Sequence, residues 1–158
     1  MDYVGVFRQR GDIASSAANE CLLLPEWDEA DWRKLFAVVT ARPVAASEVV
    51  IQRGVDDRSL YLVAAGSLEV GITYVDGVGV NPIARICAGS VIGEQSFFDA
   101  RPRSANAWAV TDGELLCLTR EKFSEFAAAE PAMTCDFLFA LGRILSLRLR
   151  NTTARVRR

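Results

Sequence analysis

The chain contains no histidine. A serine or cysteine nucleophile activated by imidazole is therefore excluded, and the commonest ligand of catalytic metal sites is missing. The four cysteines, Cys21, Cys87, Cys117 and Cys135, show no metal-ligand spacing. Each has apolar sequence neighbours, so buried, reduced thiols are expected, and with them a cytoplasmic location. No leader of charged then apolar residues opens the chain, and no apolar run is long enough to span a bilayer. The nearest approach, Met133 to Leu149, is interrupted by arginines. There is no excess of positive charge: the formal net charge is −2, which argues against a protein that coats nucleic acid. Internal repeats, low-complexity tracts and a Walker-type glycine loop are also lacking, so an enzyme is not expected.

What is present is a chain of 158 residues, one domain by length, with the 51% hydrophobic and 24% charged residues of an ordinary soluble protein. Residues 1 to 20 carry weak periodicity and predict a loose segment with some helix. Pro25 and the acidic run Glu26-Trp27-Asp28-Glu29 suit a first helical turn. Trp32, Leu35, Phe36 and Val39 then recur at helical spacing, which predicts a helix to about Val39. Residues 1–41 are thus an N-terminal segment and helix.

From residue 42 to 120 the period changes to two. Leu68, Val70, Ile72 and Tyr74 alternate with Ser67, Glu69, Gly71 and Thr73. Turn signals recur at Gly54, Ala65-Gly66, Asp76-Gly77, Gly89 and Asp112-Gly113. Short strands at this density predict a sandwich, barrel or roll. The missing histidines set aside a metal-binding cupin among these. Residues 121–158 return to helix: Glu121 to Ala129, stopped by Glu130-Pro131, then Pro131 to about Asn151. On the second helix Phe137, Leu138, Leu141, Ile144, Leu145 and Leu149 form an apolar stripe. Gly142 within it costs about 1 kcal/mol relative to alanine, and reads either as a bend point or as close packing against the roll.

The most informative stretch is residues 92–105: Ile92-Gly93-Glu94-Gln95-Ser96-Phe97-Phe98-Asp99-Ala100-Arg101-Pro102-Arg103-Ser104-Ala105. Gly93 lets backbone approach a ligand closely, and the first amides of a short helix after it favour an anion. Arg103 offers a planar fork of donors suited to phosphate oxygens. Ser104 and Ala105 add a hydroxyl and backbone N–H groups with little bulk. Glu94 accepts only, so it suits a sugar hydroxyl and repels phosphate. Gln95 and Ser96 lie between them. Read without that context, Arg103 is a surface arginine in a turn and Glu94 a helix-start carboxylate. Phe97 and Phe98 read as core anchors, Asp99 and Arg101 as solvated.

These residues resemble the phosphate-binding cassette of the cyclic nucleotide-binding domain family, in which Gly-Glu, a short apolar helix and Arg-(Ser/Thr/Ala)-Ala follow in order. Upstream, Ile51-Gln52-Arg53-Gly54, Leu60-Tyr61-Leu62-Val63 and Gly66-Ser67-Leu68-Glu69-Val70 are similar to the family's glycine-punctuated strands. The resemblance runs from about Leu22 to about Arg150. It implies a mainly β fold with flanking helices: a jelly-roll-like β-roll (double-stranded β-helix) with an N-terminal helix and a C-terminal helical lid, in one domain spanning 1–158. It implies a non-catalytic regulatory module that needs no cofactor and binds cAMP or cGMP through Gly93, Glu94, Gln95, Ser96, Arg103, Ser104 and Ala105. The base would be covered by the last helix, with Arg143, Ile144, Leu147 and Arg148 as candidates. The implied partner is a protein effector or a second copy through that helix. The alternative is an interaction protein of the same fold that binds no nucleotide, or another ligand such as a cyclic dinucleotide. Arg143, Arg148, Arg150, Arg155, Arg157 and Arg158 make the C-terminus basic, as a solvated helix face or as an arm. Relatives that regulate transcription carry a helix-turn-helix after the long helix. This chain ends before one could fit, so a stand-alone sensor, or the regulatory part of something larger, is expected, without specific DNA binding.

Overall fold

The structure is a computed structural model that describes residues 1–8, 20–73 and 80–156. Tyr74, the Asp76-Gly77 turn, most of the weakly periodic N-terminal segment, Arg157 and Arg158 lie outside the described residues.

Two short helices, α1 (Tyr3–Arg8) and α2 (Glu29–Phe36), precede eight strands, and two helices, α4 (Arg120–Ala129) and α5 (Pro131–Val156), follow them. The strands are β1 (Thr40–Val44), β2 (Val49–Ile51), β3 (Leu60–Ala65), β4 (Ser67–Thr73), β5 (Val80–Cys87), β6 (Val91–Ile92), β7 (Asn106–Ala109) and β8 (Gly113–Leu118), with the short helix α3 (Glu94–Asp99) between β6 and β7. They pair antiparallel into two four-stranded sheets, ordered β1-β8-β3-β6 and β2-β7-β4-β5. This is the expected β-roll with flanking helices.

The pleat of β3 explains the layering. Successive side chains of a strand point to opposite faces, and here both faces are covered. Leu60, Leu62 and Ala64 enter one core, built with Trp32 and Leu35 of α2, Phe123 of α4, and Phe137, Leu141 and Ile144 of α5. Tyr61 and Val63 enter a second core between the sheets, with Ile51, Leu68, Ile86 and Leu115. A strand buried on both sides reads as the continuous apolar run seen in Leu60-Tyr61-Leu62-Val63. β4, open on one side, alternates as predicted until a bulge at Val70/Gly71 interrupts its register with β5.

The helix boundaries differ from expectation at both ends. Pro25, Glu26 and Trp27 precede α2 rather than opening it. Asp28 is its N-cap, in a capping box where Asp28 accepts from the Asp31 amide at 2.9 Å and Asp31 accepts from the Asp28 amide at 3.1 Å. The last helix continues to Val156, five residues past the expected Asn151. At its start Glu130 has φ −133°, ψ 68°, outside the helical region, as a residue before proline must. The close-packing reading of Gly142 does not hold: a Cβ there would meet nothing within 4 Å. The apolar stripe is also shorter than expected, because Leu149 is 68% exposed, and Phe98 (44%) stands in solvent while Phe97 (2%) is buried. Cys135 is exposed rather than buried, and Cys87 and Cys117 are half-buried.

Replacing Asp28 with alanine removes one arm of the capping box and should destabilise the fold by about 1 kcal/mol. Urea denaturation of Asp28→Ala against wild type measures this; an unchanged midpoint would show that the box contributes nothing.

Candidate functional site

The site starts from a turn. β6 ends at Ile92, and Gly93 takes φ +87° to cap α3. A Cβ at Gly93 would lie 2.6 Å from Arg103 Nη1 and 2.9 Å from the Ser59 carbonyl oxygen, so only glycine fits. Six residues of helix follow, closed by Ala100, also left-handed at φ 61°. The chain then returns through Pro102 so that Arg103 lies against Gly93.

Arg103 is 4% exposed. Its Nη1 donates to the Gly93 carbonyl at 2.9 Å, and its Nη2 to the Ser59 carbonyl at 2.6 Å and to Asp57 Oδ2 at 3.0 Å. The loop between β2 and β3 holds it from the other side: the Arg103 amide donates to the Val55 carbonyl and the Gly54 amide to the Arg103 carbonyl, each at 2.9 Å. Gly54, at φ +85°, gives this loop its turn. Arg103 Nε has no hydrogen-bond partner among the described residues, although it is buried. Such a donor calls for an explanation.

Glu94, 6% exposed, faces α5. Its Oε1 lies 2.7 Å from Arg148 Nη1. Arg148 also donates from Nε to Glu20 Oε2 at 3.1 Å, and from Nη2 to the Val91 carbonyl at 2.8 Å and Ser90 Oγ at 3.2 Å. Burial works against its charge, but Glu94 and then Glu20 outweigh it, holding the guanidinium above its ordinary pKa. Ser104 Oγ donates to Gln95 Oε1 at 2.6 Å.

These groups line one cleft of about 200 Å³. Gly93, Glu94, Gln95, Ser96, Arg103, Ser104 and Ala105 all border it. Ile51, Val70, Ile83, Ala84, Ile86 and Ile92 form an apolar wall, and α5 closes the far side. Of the four residues expected over the base, only Arg148 borders the cleft. Ile144 is fully buried in the helix core, Arg143 is turned to the Cys21 carbonyl at 3.4 Å, and half-buried Leu147 does not line it. The face of α5 that borders the cleft lies further along the helix than the expected positions. Asn151, Thr152 and Arg155 line the cleft, and Arg155 Nη1 donates to the Ile83 carbonyl. They follow Arg148 by three, four and seven residues, the spacing of one helical face, so Arg148 as an anchor would have found them. Glu20 and Asp57 had no such signal; Glu20 meets the site only through the fold, accepting from Asn151 Nδ2 at 3.1 Å.

The cassette arrangement is that of one family. Residues 41–130 match the model of the cyclic nucleotide-binding domain. The chain belongs to that family. It is 27% identical over 125 residues to the anaerobic regulatory protein of Bacillus subtilis, covering 78% of this chain and 50% of that one. It is 35% identical over 88 residues to the cyclic AMP receptor protein of Thermus thermophilus, covering 56% of this chain and 40% of that one. The chain thus spans half or less of the length of these curated relatives. A cyclic nucleotide-binding domain from Methylobacillus flagellatus superimposes with a TM-score of 0.77 at 25% identity, over 89% of this chain and 78% of that one. No helix among the described residues is long and apolar enough to cross a membrane, and no cluster of His, Cys, Asp and Glu there could hold a metal.

Asp57, the partner of Arg103 in this domain, carries a pH-dependent share of stability. Burial pushes its carboxyl up, but the Ser59 amide at 2.9 Å and the Arg103 guanidinium together hold it below the ordinary value. A depressed folded pKa means that the stabilisation is full above the unfolded value of about 3.9 and is lost as pH falls through the folded value. Asp57→Asn should therefore lose less stability than wild type on acidification below pH ~4. Melting temperatures across an acid series check it; parallel profiles would show that the pair does not titrate with folding.

Proposed function

We propose that this domain is a non-catalytic, cytoplasmic regulatory module that binds cAMP or cGMP in the cassette cleft and transmits occupancy through α5. The observation that carries the reading is the pairing of a buried carboxylate, Glu94, with a buried guanidinium, Arg103, at the two ends of one segment facing one cleft. A cyclic phosphodiester needs an anion site and a hydroxyl acceptor a short distance apart. Arg103 retains one unpartnered donor, Nε, for a phosphate oxygen. The Ser104 and Ala105 backbone lies beside it in the cleft. Glu94 is held by Arg148 through Oε1, and its second oxygen is the acceptor for the ribose 2′-hydroxyl. The apolar wall of β4 and β5 suits a purine face, with Asn151 and Thr152 at its edge. The free thiols of Cys87, Cys117 and Cys135 fit a reducing compartment.

Signalling in this reading depends on Arg148. It ties α5 to the cassette through Glu94, and to the strand before it through Val91 and Ser90. A ligand that engages Glu94 and the face of α5 together has different affinities for docked and undocked helix, which is what a population shift requires.

Calorimetric titration with cAMP, cGMP, 2′-deoxy-cAMP and cyclic di-GMP tests the ligand. A cyclic mononucleotide should bind, its 2′-deoxy form much more weakly because Glu94 is left unpaired. Arg103→Ala should lose about 2–5 kcal/mol, a factor of about 30 to several thousand in Kd. Arg103 also joins Gly93, Asp57 and Ser59, so a melting curve must accompany the titration. Wild-type protein that binds neither cAMP nor cGMP would end this reading, in favour of another ligand or an interaction protein.

Hydrogen exchange with and without the nucleotide tests the output. Protection should rise across residues 94–105 and also across residues 141–152. A rise confined to the cassette would leave the site and remove the role of α5.

A further inference from the structure

Two carboxylates border the cleft, Glu94 and Glu20. Glu20 stands just before the strands' outer turn, and its backbone is fixed there. Ser90 Oγ donates to the Glu20 carbonyl at 2.5 Å, and the Leu22 amide donates to the Gly89 carbonyl at 2.9 Å. Cys21 and Leu22, which follow it, are buried. The turn between β5 and β6 therefore holds the Glu20 carboxylate in place, and two residues of α5 come to it. Arg148 Nε donates to Oε2 and Asn151 Nδ2 to Oε1, each at 3.1 Å.

Glu20 and Glu94 share one guanidinium. Arg148 carries five N–H donors in a planar fork. Nε goes to Glu20, Nη1 lies 2.7 Å from Glu94 Oε1, and Nη2 goes to the Val91 carbonyl at 2.8 Å and to Ser90 Oγ at 3.2 Å. Neither carboxylate takes two donors of the fork, although the bidentate pair is the stronger geometry for arginine and a carboxylate. The charges are also uneven. Two carboxylates around one guanidinium leave one negative charge over, where the side chains of Glu20, Glu94 and Arg148 are only 19%, 8% and 18% exposed. If Arg148 served only to fasten α5 to the cassette, Glu94 alone would suffice, and both of its oxygens would be taken.

We propose that Glu20 is a positioning residue that keeps Glu94 available to the ligand. By holding Nε it fixes the edge of the fork and confines Glu94 to one contact, through Oε1. The second oxygen of Glu94 then stays open to a ligand hydroxyl; on the cyclic nucleotide reading, on which this inference rests, that hydroxyl is the ribose 2′-hydroxyl. Without the Glu20 charge the attraction of Arg148 for Glu94 is undivided, and the released fork turns two N–H groups onto the Glu94 oxygens. The protein then consumes its own acceptor. Glu20 acts through Arg148 rather than on the ligand, and it sets how strongly the cleft distinguishes ribose from deoxyribose.

Glu20→Gln keeps the size of the side chain and removes its charge. Glu26→Gln makes the same change on an exposed residue before α2 and serves as the control. Each is titrated calorimetrically with cAMP, cGMP and their 2′-deoxy forms, beside a melting curve that shows it folds. Wild type and Glu26→Gln should favour the ribose form by about tenfold or more. Glu20→Gln should bind the ribose form about tenfold more weakly and the 2′-deoxy form with nearly unchanged affinity, so that the preference is lost. Glu20→Asp keeps the charge but is shorter by one methylene, and should lose only part of the preference. A merely structural role for Glu20 would weaken both forms together and leave their ratio alone. A crystal structure of ligand-free Glu20→Gln should show two Arg148 N–H groups on Glu94. A wild-type ratio in both Glu20 variants, or an unmoved Arg148, would overturn the inference and leave the proposed function standing. Wild-type protein that binds neither nucleotide would overturn both.

Discussion

The arrangement of the site rests on a guanidinium that water hardly reaches. Arg103 is 4% exposed, so its donors must be met from within the protein. Meeting them determines much of the geometry around it. The Gly93 carbonyl must point back at it, which requires the left-handed turn before α3. The loop between β2 and β3 must supply the Ser59 carbonyl and the Asp57 carboxylate from the opposite side. A chain reversal, a helix start and a distant loop are therefore joined at one side chain. Burying an unpaired charge would be far more costly than leaving it in water, so these segments have one mutually satisfying arrangement.

A second guanidinium does for the helices what Arg103 does for the cassette. Arg148 joins Glu94, Glu20, Ser90 and Val91, so the last helix, the end of the N-terminal segment and the entrance to the cassette share one network. In the half of the helix nearer its start, α5 is attached chiefly by its apolar face, through Phe137, Leu141 and Ile144, with two polar contacts beside it, Trp27 Nε1 to Asp136 and Arg143 to the Cys21 carbonyl. From Arg148 onward its contacts with the body are polar: Asn151 to Glu20, and Arg155 to the Ile83 carbonyl. Polar contacts exchange with water or with a ligand at little net cost, whereas withdrawing a packed leucine or phenylalanine costs about 1.5–3 kcal/mol each. The helix is thus firm where it touches the hydrophobic core and adjustable where it borders the cleft.

How much of this was legible in the sequence follows from the range of each interaction. The strands, their turns and the cassette were legible because they are written in local patterns. These are the alternation in β4, the doubly apolar run of β3, the glycines that take positive φ at positions 54, 66, 89 and 93, and Gly-Glu followed at short range by Arg-Ser-Ala. The stop at Glu130-Pro131 was legible for the same reason. The stripe on α5 was read as longer than it is, because hydrophobic periodicity records that a face is apolar but not what covers it. Leu149 and Phe139 continue the apolar composition but face away from the body. The same blindness places Ile144 over the cleft, when it lies in the core one turn before α5 reaches the cleft at Arg148.

The sequence by itself determined the fold class, the family and the seven residues that border the cleft from the cassette, since each follows from residue types at fixed short separation. The tertiary structure alone decided which face of the last helix meets the cleft, which carboxylates each arginine pairs with, and that Glu20 belongs to the site at all. Glu20 and Arg148 are 128 residues apart, and Asp57 and Arg103 are 46 apart. No local pattern can specify such pairs. They are selected when the sheets and helices close and every charge drawn out of water has to find a partner.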